Sequence, residues 1–217
     1  MTRGVFVTGT DTGVGKTFAS CVLIHALVAR GLTVAPMKPI AAGSDEDTVA
    51  LMRAAGVADS RKAQVTPVML EAPIAPHIAA QREGRRIELA ALREAFGRLA
   101  AQADVVVVEG VGGFAVPLGP GVDTIDLARA FALPVVLVVG MRLGCLNHAL
   151  LTQRAIAGAG LAFAGWIANA IDPDMEVADE NIAALRERLD APLLGRLPYS
   201  PGTDPATLAA RLDVASF

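Results

Sequence analysis

Apolar positions along this chain follow two rhythms. Short runs dominated by apolar and β-branched residues recur at Gly4-Val5-Phe6-Val7-Thr8, Leu32-Thr33-Val34-Ala35, Asp104-Val105-Val106-Val107-Val108, 134–139, Ala164–Ala168 and Pro192–Gly195. Runs of this length without a polar alternation read as strands buried on both faces. Between them the apolar residues return every three or four positions, the period of a helix. Thr17–Arg30 is the first such stretch, with Cys21, Ile24 and Val28 on one face and Gly31 as its stop. Further helices are expected at 45–55, 88–102, 124–131, 146–158 and 176–189. Buried strands alternating with helices predict an α/β fold of about six or seven strands, a mostly parallel sheet with helices on both faces. No linker or internal repeat divides residues 1–217, so a single domain is expected. Residues 56–87, with Pro67, Pro73 and Pro76, follow neither rhythm and read as an excursion between strands.

Composition narrows the class. Of 217 residues, 53% are hydrophobic and 19% charged, which argues against disorder. The net charge is -3 and no basic run occurs, so nucleic acid is not an expected partner. Cys21 and Cys145 sit in apolar stretches and define no disulfide framework, which fits a reducing, cytoplasmic setting. MTRGVFVTG lacks the apolar core of a signal peptide. The run FALPVVLVVG is too short for a membrane span and contains Pro134. The mean hydropathy of +0.48 is high for a soluble domain; Ala-rich helices and a buried subunit interface would account for it.

The candidate chemistry lies at the carboxyl ends of the expected strands, where ligands bind in such sheets. Thr8-Gly9-Thr10-Asp11-Thr12-Gly13-Val14-Gly15-Lys16-Thr17 follows the first strand and opens the first helix, the context of a phosphate-binding loop. Gly13 and Gly15 let backbone N–H groups face an anion, and the helix N-terminus adds partial positive charge. Lys16 would reach the β- and γ-phosphates, and the Thr17 hydroxyl would hold Mg²⁺. Thr10 stands where the simplest pattern has glycine. Mg²⁺ calls for carboxylate oxygens. Glu109, at the tip of the Val105–Val108 strand, is one candidate, because an acid there needs a partner. The second comes from Ser44-Asp45-Glu46-Asp47: Asp45 could cap the following helix, and Asp47 is the chosen ligand. Lys38 ends the second strand, near the loop if those strands are close. His25, His77 and His148 show no zinc-type spacing.

These motifs, with Lys38-Pro39, Val108-Glu109-Gly110-Val111-Gly112-Gly113, Leu143-Gly144-Cys145-Leu146-Asn147-His148-Ala149 and Ala164-Gly165-Trp166-Ile167-Ala168-Asn169, resemble dethiobiotin synthetase over nearly the whole chain. The resemblance implies a P-loop NTPase-like fold and an ATP-dependent ligase of biotin biosynthesis. Its substrates would be 7,8-diaminononanoate, CO2 and ATP, its cofactor Mg²⁺, and its state a homodimer with the diamine site at the subunit interface. Lys16 and Lys38 become catalytic, and Thr17, Asp47 and Glu109 become Mg²⁺ ligands. Gly13, Val14, Gly15, Lys16, Thr17, Phe18, Gly112, Asn169 and Pro198-Tyr199-Ser200 would contact ATP. Thr12, Lys38 and Ala42 would meet the substrate, with Gly144, Cys145 and Asn147 holding its carboxylate across the interface. Two positions depart from the family pattern: Ala42 replaces a frequent hydroxyl residue, and Ala170 a frequent Asp after the base-binding Asn. Other readings remain open from the sequence. A partitioning ATPase would carry an extra lysine where Asp11 stands. A small-molecule kinase would leave a phosphorylated product, and a non-enzymatic nucleotide switch would have no use for Lys38.

Overall fold

The strand runs at 4–9 and 105–109 pair side by side at the centre of the molecule, a computed structural model that describes residues 4–215 and 217. Residues 1–3, the start of the MTRGVFVTG stretch, lie outside that set, as does Ser216. The chain runs through β1 (Gly4–Gly9), α1 (Lys16–Ala29), β2 (Val34–Met37), β3 (Ile40–Ala42), α2 (Glu46–Ala54), α3 (Lys62–Val65), β4 (Val68–Leu70) and α4 (Pro76–Arg82). It continues through α5 (Leu89–Ala100), β5 (Val105–Glu109), β6 (Pro117–Gly119), β7 (Val122–Asp123), α6 (Thr124–Phe131) and β8 (Val135–Met141). It then forms α7 (Cys145–Gly158), β9 (Phe163–Ala170), α8 (Ala178–Arg188), β10 (Leu193–Leu197) and a 3-10 segment at Pro205–Arg211.

Six strands form one sheet in the order β10-β9-β8-β1-β5-β2, and every pairing in it is parallel. From β1 the chain crosses to the edge strand β2, returns to β5 beside β1, and then runs outward on the other side through β8, β9 and β10, so the strand order reverses at β1 and the loop after it opens into a crevice. Alternate residues of each central strand serve opposite faces. Val5, Val7, Val105, Val107, Val136 and Val138 pack with α1 and Leu51 of α2. Phe6, Val106, Val108 and Val135 pack with α4, α5 and α6 on the other face. Leu137, Val139, Trp166 and Ala168 meet α7 and α8. Each fully buried Val, Leu or Phe contributes about 1.5–3 kcal/mol, so the two covered faces supply most of the cohesion. Pro36 lies in β2, which forms an edge of the sheet, where a missing ladder donor is tolerated.

The expected helices and strands are present with shifted ends. The second strand starts at Val34 rather than Leu32, because Thr33 bonds to the residues just before β5 instead of entering the ladder: its N–H donates to the Asp104 carboxylate and its carbonyl accepts from the Asp104 and Val105 N–H groups. The 56–87 stretch is ordered, with α3, β4 and α4, and β4 pairs in parallel with β3 outside the main sheet. The β6–β7 hairpin is the one antiparallel pairing of named strands among the described residues, also outside the main sheet.

Candidate active site

The loop between β1 and α1 places its groups by backbone geometry. Gly15 precedes α1 in the left-handed region, φ 81°, and a Cβ there would lie 2.2 Å from Asn169 Nδ2. Only glycine fits both demands. Asn169, near the end of β9, donates from Nδ2 to the Val14 carbonyl at 2.9 Å and so braces the loop from below. Lys16 folds back over the loop and donates to the Asp11 carbonyl at 2.9 Å. Asp11 in turn pairs with Arg142, at 2.7 Å, in the turn after β8. The Thr12 N–H and Arg142 outweigh partial burial and hold the Asp11 carboxyl below its usual range.

Neighbouring strand ends bring the other charges. Parallel pairing sets Met37 of β2 beside Val108 of β5, so Lys38 and Glu109 leave the sheet side by side. Lys38 Nζ donates to Glu109 Oε1 at 2.6 Å, to Asp47 Oδ2 at 2.8 Å and to the Gly110 carbonyl at 3.3 Å. The Thr17 hydroxyl lies 2.9 Å from the same Glu109 Oε1 and 2.8 Å from Asp47 Oδ1. Four separate chain segments, those of Thr17, Lys38, Asp47 and Glu109, therefore converge on one point.

Burial sharpens the electrostatics. Glu109 is 0% exposed and Lys38 3%. Burial alone would depress the Lys38 ammonium, but the carboxylates of Glu109 and Asp47 outweigh it and hold its pKa above the ordinary lysine value. Asp47 is half-exposed; desolvation pushes its carboxyl up, and Lys38, Thr17 and Lys16 together bring it below its usual value. Lys16 has no carboxylate in contact, and burial pulls it down to about 8 against a partly offsetting attraction from Glu109.

The donor set suits a small hard cation. Thr17 has a single proton to share between two carboxylate oxygens, so one of its two short contacts has no hydrogen to bridge it. Glu109 Oε2 is buried without a partner. Two carboxylates and a hydroxyl beside a phosphate loop are the ligands Mg²⁺ takes when a nucleotide supplies the rest. Asp45 makes no hydrogen bond within this cluster and pairs instead with Lys62.

These groups line one wall of a cleft of about 730 Å³, with Thr12, Gly13 and Gly112 beside them. Apart from Ser44, the rest of the lining is apolar: Ala41, Ala42, Pro73, Ile74, Ala75, Pro76, Val111 and Val116. Pro73 and Ile74 come from the 56–87 excursion, whose contribution was not legible in the sequence. They are seated by Gly43, φ 87°, where a Cβ would lie 2.4 Å from Pro73 Cβ. A cleft of about 820 Å³ behind α4, with His77, Arg85 and Arg86, includes neither the phosphate loop nor the carboxylates.

Not every residue named from the sequence lies at this cleft. Val14 is buried in the core and Phe18 packs against it, which leaves their backbones for a nucleotide. Pro198, Tyr199 and Ser200 follow β10 and do not line the cleft, and the Tyr199 side chain is half-exposed. Gly144, Cys145 and Asn147 are also absent from it. The Cys145 thiol is enclosed among Leu137, Trp166 and Leu185, and the Cys145 N–H donates to the Arg142 carbonyl. Leu143, by contrast, is 95% exposed at the start of α7.

A parallel sheet with a glycine loop at its switch point, a lysine over that loop, and a hydroxyl and two carboxylates behind it defines a P-loop nucleotide-binding protein. The AAA domain family matches residues 3–207. Among solved structures, the septum site-determining protein MinD of Pyrococcus horikoshii superposes with a TM-score of 0.64 at 21% identity, over 98% of this chain and 87% of that one. The signal recognition particle receptor FtsY of Elizabethkingia anophelis gives 0.56 at 14% identity, over 97% of this chain. This chain spans 63% of that receptor's length, and at such identities both likenesses concern the fold alone. Sequence relatives are far nearer. The ATP-dependent dethiobiotin synthetase of Aromatoleum aromaticum is 55% identical over 97% of this chain and 96% of its own length. That of Nitrosospira multiformis is 51% identical over 99% and 96%. The chain belongs to the ATP-dependent dethiobiotin synthetase family.

Proposed function

We propose that this chain converts 7,8-diaminononanoate, CO2 and ATP into dethiobiotin, ADP and phosphate. The observation that carries this reading is a pair of buried ammonium groups, Lys16 and Lys38, around one cleft that joins a phosphate loop to an apolar wall. The reaction sets two anions against each other. One amine of the substrate adds to CO2 and loses a proton, giving a carbamate. A carbamate oxygen then attacks the γ-phosphorus and ADP departs. The second amine attacks the carbonyl carbon of the mixed anhydride, expels phosphate and closes the cyclic urea.

The chain's residues address the repulsion in the phosphoryl step. Lys16 neutralises the β- and γ-phosphates, and Lys38 faces the junction of carbamate and phosphate. Positioned positive charge in a dry site is commonly the largest catalytic contribution. Thr17, Asp47 and Glu109 would hold Mg²⁺, which supplies further positive charge on the phosphate oxygens. The Asn169 brace keeps the loop N–H groups fixed on the nucleotide. Ala42, Pro73, Ile74 and Val116 offer an apolar surface to the aliphatic chain and keep water from the anhydride.

The substrate's distal carboxylate finds no basic side chain on that apolar wall. A second copy of the chain supplies the missing part: Gly144 and Asn147 stand beside the exposed Leu143 at the start of α7, whose N-terminal end carries partial positive charge. The working form is thus a homodimer, and it acts in the cytoplasm. Among the described residues no helix is long and apolar enough to cross a membrane.

Mass detection of dethiobiotin from 7,8-diaminononanoate, bicarbonate, Mg²⁺ and ATP tests the reading. One dethiobiotin per phosphate is expected. Phosphate release that ignores the diamine overturns it. Leu143→Asp is expected to shift the protein to monomer in sedimentation and to raise KM for the diamine; a stable dimer with unchanged KM removes the interface from the account.

A further inference from the structure

Lys38 sits where two roles conflict. Its ammonium bridges Glu109 Oε1 and Asp47 Oδ2, and these two carboxylates are the ones assigned to the metal. Thr17 and Lys38 both use Glu109 Oε1, while Oε2 is buried without a partner. Glu109 is 0% exposed, and a buried carboxylate needs a positive or hydrogen-bonding partner at every stage. An ammonium held by two carboxylates has its charge largely cancelled and its protons engaged. It cannot serve an incoming carbamate or phosphate from that station.

We infer that Lys38 has two stations: it is the counter-ion of Glu109 and Asp47 until a divalent cation takes those carboxylates, and only then does it turn to the reacting anions. The inference rests on the reading of Thr17, Asp47 and Glu109 as metal ligands. A flexible four-carbon stem allows the ammonium such a swing without a backbone change. The two cations compete for one oxygen and repel each other, so they do not share the station. The coupling is reciprocal: Lys38 weakens metal binding by the same factor by which the metal frees Lys38. The device keeps Glu109 neutralised in the metal-free protein and orders the reaction, because the catalytic ammonium becomes available only once the cation is in place.

Mn²⁺ binding without nucleotide, followed by the electron paramagnetic resonance of the free ion, tests this independently of turnover. Lys38→Met is expected to bind Mn²⁺ at least about tenfold more tightly than the wild type, within the usual range of such couplings. Lys16→Met is the control. It removes a nearby positive charge whose ammonium donates to the Asp11 carbonyl, and it is expected to gain clearly less. Equal gains in both variants, or none in Lys38→Met, overturn the inference and leave the metal assignment standing. Binding that survives Glu109→Gln overturns the metal assignment and the inference with it. A second measurement uses the wild type. In ¹⁵N-lysine-labelled protein the slowly exchanging ammonium resonance missing from Lys38→Met is expected to shift with the midpoint of Mg²⁺ binding. A resonance unmoved at saturation overturns the two-station account.

Discussion

Lys16 and Lys38 are both buried beside the same cleft, yet their surroundings treat them in opposite ways. Lys16 leans on a backbone carbonyl and its pKa falls to about 8, burial being the main cause. Lys38 leans on two carboxylates, which overcome a similar burial and raise it. A neutral acceptor leaves an ammonium eager for a further anion, and a nucleotide's phosphates answer that need. A pair of carboxylates satisfies an ammonium in advance, so Lys38 must be released before it can act. On the proposed reading both lysines are catalytic, and the contrast separates the one that meets the nucleotide directly from the one that is first released.

The largest expected effect comes from breaking that contrast directly. Lys38→Ala is expected to lower kcat by at least about 10²–10³-fold, the typical loss for one charge-stabilising donor, while calorimetry still detects ATP binding. Lys16→Ala is expected to lose ATP affinity as well. Equal ATP affinities in the two variants would erase the distinction. Glu109→Gln comes next: it removes the charge that holds Lys38 and is expected to weaken Mg²⁺ dependence and rate together, by about tenfold or more. Breaking a buried pair from one side costs about 3–5 kcal/mol, so the melting temperature should fall too. An unchanged Mg²⁺ profile would move the metal elsewhere.

Smaller differences sharpen the outline. Asp47→Asn is expected to lose activity at least about tenfold, whereas Asp45→Asn, whose partner is the half-exposed Lys62, should stay within about twofold. The reverse order would mean that the wrong acid carries the role. The smallest effect is a silence. Burial, and then the charge of Glu109, push the Cys21 thiol up to about 12, so alkylation of native protein at pH 8 should leave Cys21 unmodified. Fast labelling there would mean that the floor of the site opens.

The polar half of the cleft was legible in the sequence because each residue announces its position locally. Lys16 and Thr17 follow a glycine loop, and Glu109 ends a run of four valines. Where Asp45 and Asp47 lie needed coordinates, since a helix start allows either to point inward; Asp45 pairs with Lys62, and Asp47 joins Lys38 and Thr17. The apolar wall stayed hidden for another reason. Pro73 and Ile74 belong to a segment with no helical or strand period, and their place depends on the β3–β4 pairing and on the contact with Gly43. The six central strands were readable from composition, because a strand buried on both faces leaves no polar positions. The pairing of β5 between β1 and β2 was not, although it is what brings Lys38 to Glu109.

The central claim is that phosphate passes first to a carbamate oxygen. A brief reaction with C¹⁸O2, unlabelled water, ATP and the diamine tests it by the mass of the released phosphate. Attack by the carbamate leaves one CO2-derived oxygen on phosphorus when the ring closes, so one ¹⁸O per phosphate is predicted. Phosphate that carries no ¹⁸O, with the label kept only in unreacted CO2 and in the urea carbonyl, would contradict the account.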